Sequence, residues 1–142
     1  MTNAETLWAV DTSVAVAALD QSHEFHAVCR AAVLAHRPAL AGHAAFETFS
    51  VLTRLPGAQR VEPADAVAVL AEGFPQHCWL DARRQTALLA RFGEMGVAGG
   101  SVYDALVASA ALAHGRRLLS RDLRAERTYQ LVGVDYEWVG PR

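Results

Sequence analysis

Residues 7–19, LWAVDTSVAVAAL, read as a short buried strand running directly into a helix, with an acidic residue at the join. The apolar run 7–10 suits a buried strand, and Asp11, Thr12 and Ser13 each carry the short polar side chain that caps a helix start. Asp11 therefore stands at the carboxyl end of a strand. Working outward, helical spacing covers 24–37 and stops at Pro38; ALAGH, 39–43, returns to the sheet, and a helix follows over 44–55 before Pro56 and Gly57 break the chain. Pro63 fits a first helical turn that continues through Ala71, CWL at 78–80 is a short strand candidate, and Asp81 suits the cap of a helix over 82–96. VAGGS interrupts that run. A helix over 101–114, a strand over 117–120 and a last strand over 135–139 complete the chain.

Strands separated by helices predict an α/β sandwich with a mainly parallel central sheet, whose ligand crevice lies beyond the carboxyl ends of the strands. A length of 142 residues with 52% apolar content predicts a single domain spanning 1–142, with no repeat, low-complexity tract or linker to divide it. Cys29 and Cys78 lie far apart without ligand-type spacing and read as reduced, buried thiols. No secretory signal precedes the first strand, and no apolar run reaches the roughly 18–20 residues that cross a bilayer, so the expected location is the cytoplasm with no membrane contact. The formal charge of −2 gives no general nucleic-acid footprint, yet all 13 basic residues are arginines, concentrated at Arg116, Arg117, Arg121, Arg124 and Arg127. Such a patch suits phosphate or carboxylate recognition, or is a solvated face.

Four acids stand beside strongly apolar segments: Asp11 after LWAV, Glu47 in AAFETF, Asp104 in VYDALVA and Asp122 after LLSR. A carboxylate near a core is costly unless charge or hydrogen bonding compensates. Converging acids would hold Mg2+ or Mn2+, which favour oxygen ligands and activate water for in-line attack at phosphorus. Each position also has a local reading. Asp11 caps a helix; Glu47 pairs with Arg54 or lies exposed; Asp104 favours the positive end of a helix capped by Ser101; Asp122 caps the LRAERTY helix. Ala108, four residues after Asp104, leaves space above that carboxylate. Thr12 and Ser13 read as caps first and as water or substrate contacts second.

Other chemistries find less support. His23 and His26 lack an HExxH pattern, and His43, His77 and His114 read as structural or surface residues, His43 being able to reach a cleft. Neither GxSxG nor GxxxxGK[ST] occurs, and AGG is no phosphate loop. Trp8, Trp79 and Trp138 fall in or near strand candidates and read as core or partner-contact residues.

The combination of VDTS (10–13), AFETFSVLTRLP (45–56), GGSVYDALVASAA (99–111) and LLSRD (118–122) resembles PIN-domain ribonucleases, and within them the VapC toxins of toxin-antitoxin systems. The resemblance extends over 7–139, and the order and spacing of the motifs carry it more than any single one. It implies a PIN-like three-layer α/β/α sandwich and a divalent-metal-dependent RNA endonuclease. It matches the family's acids to Asp11, Glu47, Asp104 and Asp122, and it implies Mg2+, with Mn2+ as a substitute. Thr12 and Ser120 become candidates for positioning water or phosphate, and Arg121 and Arg124 for touching RNA. A small VapB-like antitoxin and a homodimer with an elongated groove are the implied partners. A PIN nuclease of RNA processing and a noncatalytic binding module are the alternatives, and the preferred RNA is left open.

Overall fold

The computed structural model describes residues 5–142. Strand β1, Leu7–Val10, passes through Asp11 into helix α1, Thr12–Leu19. The Asp11 carboxylate accepts the Val14 N–H at 3.2 Å, the bond that closes an N-cap. Val14 to Ala18 are all buried, so α1 is an interior helix with no polar stripe. Helix α2, His26–His36, stops at Arg37, which adopts φ 46 just before Pro38 and leads into β2, Ala39–Ala41. Helices α3, Ala44–Thr53, and α4, Pro63–Gly73, precede β3, His77–Cys78. Asp81 caps α5, Ala82–Met95, by accepting the Arg84 N–H at 2.8 Å, and Gly96 ends it at φ 69. Helix α6, Ser101–Ala113, β4, Arg116–Ser120, α7, Glu126–Val132, and β5, Tyr136–Trp138, follow.

The sheet order is β3-β2-β1-β4-β5, and each neighbouring pair is parallel. Because side chains alternate across a strand, Val10, Leu40 and Leu119 share one face and pack with Val14, Leu52, Leu70 and Phe74 from α1, α3 and the α4 region. Ala9, Ala39, Ala41 and Leu118 occupy the other face against Val107, Ala108 and Ala111 of α6 and Tyr129 of α7. Small residues on both sides let α6 approach the sheet closely. Helix α5 lies outside α6 through Leu88, Ala105 and Ala110. The result is the expected α/β/α sandwich, with no helix among the described residues long and apolar enough to cross a membrane.

After β3 the chain returns to the far side of β1, so the switch in strand order falls between β1 and β4. Their carboxyl ends flank a crevice of the kind that binds ligands in such sheets. Asp11 follows β1 immediately, and Ser120 is the last residue of β4; the Asp11 N–H also donates to the Leu119 carbonyl at 3.2 Å.

Several boundaries shift by one or two residues, and three differences bear on the site. The third strand is 77–78, not 78–80, because its register runs only from Leu40↔His77 to Ala41↔Cys78 and β2 then turns at Gly42, leaving Trp79 and Leu80 without a partner. Ser101 is already helical, with Gly100 at the cap position, so Ser101 does not cap α6. The last helix begins at Glu126, since the Asp122 carboxylate binds the N–H groups of Arg124 and Ala125, at 3.0 and 3.3 Å, in a separate turn.

Gly42 is a tight backbone point between sheet and site: it has φ +50, and a Cβ there would meet the Ala110 Cβ at 3.1 Å. Gly42→Ala is expected to destabilise the fold by at least about 1 kcal/mol. Gly93→Ala, in exposed α5 with open space around it, should instead stabilise by about 0.5–1 kcal/mol. Urea midpoints at unchanged slope would measure both changes.

Candidate functional site

Asp11 is 3% exposed, and its carboxylate is surrounded by donors. Oδ1 accepts from the Ser13 hydroxyl at 2.6 Å and from the Val14 N–H; Oδ2 accepts from the Ser120 hydroxyl and from the Tyr129 hydroxyl at 2.7 Å. Those bonds fill about four acceptor sites, which is the capacity of a carboxylate. Burial pushes the Asp11 carboxyl up, the hydrogen bonds pull it down, and the net direction is upward. The Tyr129 hydroxyl is held far above its ordinary value by its own burial and by the Asp11 charge, so it remains a donor.

Ser120 links two of the acids. Its hydroxyl donates to Asp11 and accepts the Asp122 N–H at 3.1 Å, while the Asp122 carboxylate organises the turn ahead of α7. Glu47 lies in the first turn of α3, close enough to Asp11 and Asp122 to feel both charges. The Glu47–Arg54 ion pair expected as its local alternative is not formed among the described residues. His43 Nε2 lies 3.9 Å from Glu47 Oε1, beyond hydrogen-bond distance, and burial lowers the His43 imidazole, so this is a neutral contact near neutral pH. Burial raises the Glu47 carboxyl, and the charges of Asp11 and Asp122 raise it further.

Asp104, in the first turn of α6, is the most strained acid electrostatically. Burial comes first, then the charges of Asp122, Glu47 and Asp11, and together they raise its carboxyl from 3.8 to about 6. Burial and all three neighbouring acids act in the same direction. The four acids thus share one electrostatic region at the carboxyl end of the sheet. Among the described residues, no three His, Cys, Asp or Glu side chains are drawn together as a ready-made metal cage.

The donor chemistry nonetheless fits a hard divalent cation. The acids offer only oxygen atoms, and the Thr12 Oγ1 beside them is buried without a hydrogen-bond partner. That hydroxyl is near enough to pull Glu47 slightly downward, although it makes no bond of acceptable distance and angle. An orphaned hydroxyl facing crowded carboxylates is a place where a cation or its water would satisfy both. None of the described cavities, including the one of about 370 Å3 beside Phe74, is lined by any of the four acids.

The two arginines singled out in the sequence have different surroundings. The Arg121 guanidinium donates to the carbonyls of Val139 and Pro141 and lies 3.6 Å from the Phe25 ring centroid, while its N–H donates to Ser13 Oγ at 2.8 Å. Arg124 is exposed. Tyr129 is the site residue that sequence reading missed: ERTYQLV gives no local sign of a partner 118 residues earlier in the chain.

Comparison with known proteins bears on this geometry. The PIN-domain family model matches residues 9–131. The chain is 47% identical over 127 residues to Ribonuclease VapC27 of Mycobacterium tuberculosis, an alignment covering 89% of this chain and 92% of that protein. It is 45% identical over 133 residues to Ribonuclease VapC40 of the same species, covering 92% of this chain and 98% of that protein.

Two outcomes follow for the metal-free protein. A carboxyl raised on folding binds protons more tightly in the native chain, so its penalty is absent below 3.8, grows between there and about 6, and is complete above. Asp104→Asn should therefore raise stability at pH 7.5 by about 1 kcal/mol after allowance for solvent screening, and by nothing at pH 3.5, in urea titrations at each pH. Tyr129→Phe should destabilise by about 1–2 kcal/mol at neutral pH, because one acceptor position of a buried charge loses its donor.

Proposed function

The chain belongs to the PIN-domain family, and from that premise we propose that it is a divalent-metal-dependent endoribonuclease acting as the toxin of a toxin-antitoxin pair. The observation that carries the metal dependence is the unrelieved crowding at Asp104, whose carboxyl is raised by its burial and by three neighbouring acids. A fold gains nothing in stability from such an arrangement, whereas a bound cation would reverse its sign.

In this reading Asp11, Glu47, Asp104 and Asp122 hold Mg2+, with Mn2+ able to replace it. When bound, such a cation supplies Lewis acidity, acidifying water for in-line attack and offsetting charge on the phosphoryl oxygens. Asp11 has to release one donor to take part. The Ser13 and Ser120 hydroxyls turn by rotation about one bond, whereas the Val14 N–H is fixed in the helix start and Tyr129 is locked in the core. Ser120 and Thr12 then orient water or a phosphate oxygen. Exposed Arg124 contacts the RNA backbone, and Arg121 acts on substrate by fixing the 120–122 segment against the chain end. A small VapB-like antitoxin, a homodimer and a cytoplasmic setting complete the proposal.

The test is incubation of purified, partner-free protein with a mixed small-RNA pool in Mg2+ or Mn2+, followed by mapping of cut ends. Discrete cuts are expected, abolished by chelation and reduced at least about 100-fold in Asp104→Asn and Glu47→Gln, since even outer-shell losses at metal sites reach that range. Cutting that survives chelation, or is undiminished in both variants, would overturn the acidic metal site.

A further inference from the structure

Five aromatic or imidazole rings from three separate segments touch in sequence beside the acids. Tyr103 of α6 stacks on His43 at 4.7 Å and 15°; His43 meets Phe46 of α3 at 6.4 Å; Phe46 meets Trp79 at 5.6 Å; Trp79 stacks on His77 at 5.3 Å and 10°. The large rings are not core residues, for Phe46 is 64% exposed and Trp79 and Tyr103 are each 48% exposed. A cavity of about 160 Å3 opens among them, lined by His43, Phe46, Trp79, Leu80, Gln85 and Leu106. It is smaller than the roughly 300 Å3 at which drug-sized sites begin, so it accommodates one flat group and not an entire ligand.

The series borders the acids by a repeated offset. Phe46 immediately precedes Glu47 on α3, and Tyr103 immediately precedes Asp104 on α6. Adjacent residues of a helix point in different directions, so each ring flanks its acid without covering it. We propose that this series is a stacking platform for the unpaired bases of the RNA strand whose backbone lies at the acids. The inference rests on the ribonuclease reading above and adds which side chains hold the bases beside the acids: Tyr103, His43, Phe46, Trp79 and His77.

Physical chemistry favours this occupant. The chain carries a formal charge of −2 and its site is acidic, so phosphate attraction contributes little there. Every base has a π-face, and stacking on aromatic side chains holds a single strand without demanding a sequence. Paired bases in a duplex hide those faces. The exposed aliphatic residues Leu34, Val67 and Leu89 offer surfaces for a protein elsewhere.

The decisive experiment measures binding, not cleavage. In an Asp104→Asn background with Mg2+, fluorescence anisotropy would give the affinity of an unstructured labelled RNA 12-mer, the same strand with consecutive abasic positions, and a duplex. Trp79→Ala is expected to weaken the unstructured strand about tenfold, within the range for loss of one stacked base, while Trp79→Phe retains most of the affinity. The abasic strand and the duplex should bind weakly and be insensitive to Trp79. Sedimentation of each variant should match the parent. Equal affinity for abasic and intact strands would overturn the platform. So would a Trp79→Ala protein that binds RNA normally but changes its association state, which would make the rings a protein interface. Because the readout needs no cutting, failure of the wild-type protein to cleave RNA would count against the nuclease reading alone.

Discussion

A carboxylate buried at the end of the central strand is the constraint on which the rest of this molecule depends. Asp11 is removed from water, and an ionised group in that position is tolerated only when the fold supplies its hydrogen bonds. The donors come from the start of α1, the last residue of β4 and the middle of α7, two of them more than 100 positions away in the chain. A slip of β4 against β1 would carry Ser120 away, and a displaced α7 would withdraw Tyr129. The parallel register Val10↔Leu119 and the docking of Tyr129 against Leu118 are therefore fixed around one charge as much as by apolar packing.

Glu47 and Asp104 are treated in the opposite way. Neither receives the donors that Asp11 receives, and both are pushed upward by burial and by other acids. Their placement is nonetheless well determined. Gly42 permits the turn that starts α3, and the alanines of α6 bring Asp104 down to the sheet's carboxyl end. Stability is surrendered at these two positions while the elements carrying them are packed closely, a pattern found where a site requires charge that folding does not. The satisfied acid anchors the site, and the unsatisfied acids crowd it with negative charge that folding does not relieve.

How much of this was legible in the sequence depended on whether the deciding information was local. The strand-to-helix join at Asp11 could be read because four apolar residues end at a capping side chain, and the Pro63 and Asp81 helix starts had equally local signals. The third strand was displaced by one residue because its length is set by where its partner β2 turns, which 78–80 does not encode. Asp122 looked like a helix cap and instead forms its own turn, a choice made by the packing of Ala125 and Tyr129 beneath it. Glu47 had a plausible partner in Arg54, but Arg54 ends α3 and the glutamate looks toward His43 and the acids. The four acids could be named from their apolar settings and family spacing. The donors that make Asp11 tolerable could not, since Tyr129 sits in an unremarkable helical heptapeptide.

The arginine cluster shows why composition alone misjudges a nucleic-acid surface. Arg116 donates to the Trp8 carbonyl and the Gln76 side chain, Arg117 pairs with Asp135 and Glu137, and Arg121 is bound to carbonyls near the chain end. Three of the five positive charges are thus occupied in joining β4 to its neighbours and to the last strand. Arg124 and Arg127 are exposed, with no ion pair among the described residues. Counterion release scales with the number of phosphates neutralised, so the two free guanidiniums of this cluster add only a shallow salt dependence. The arginine cluster is thus largely a structural seam along β4 and not a free phosphate-binding face. On the ribonuclease reading proposed above, a cation at the acids would require a phosphate at one place, and the exposed rings beside it would read the bases.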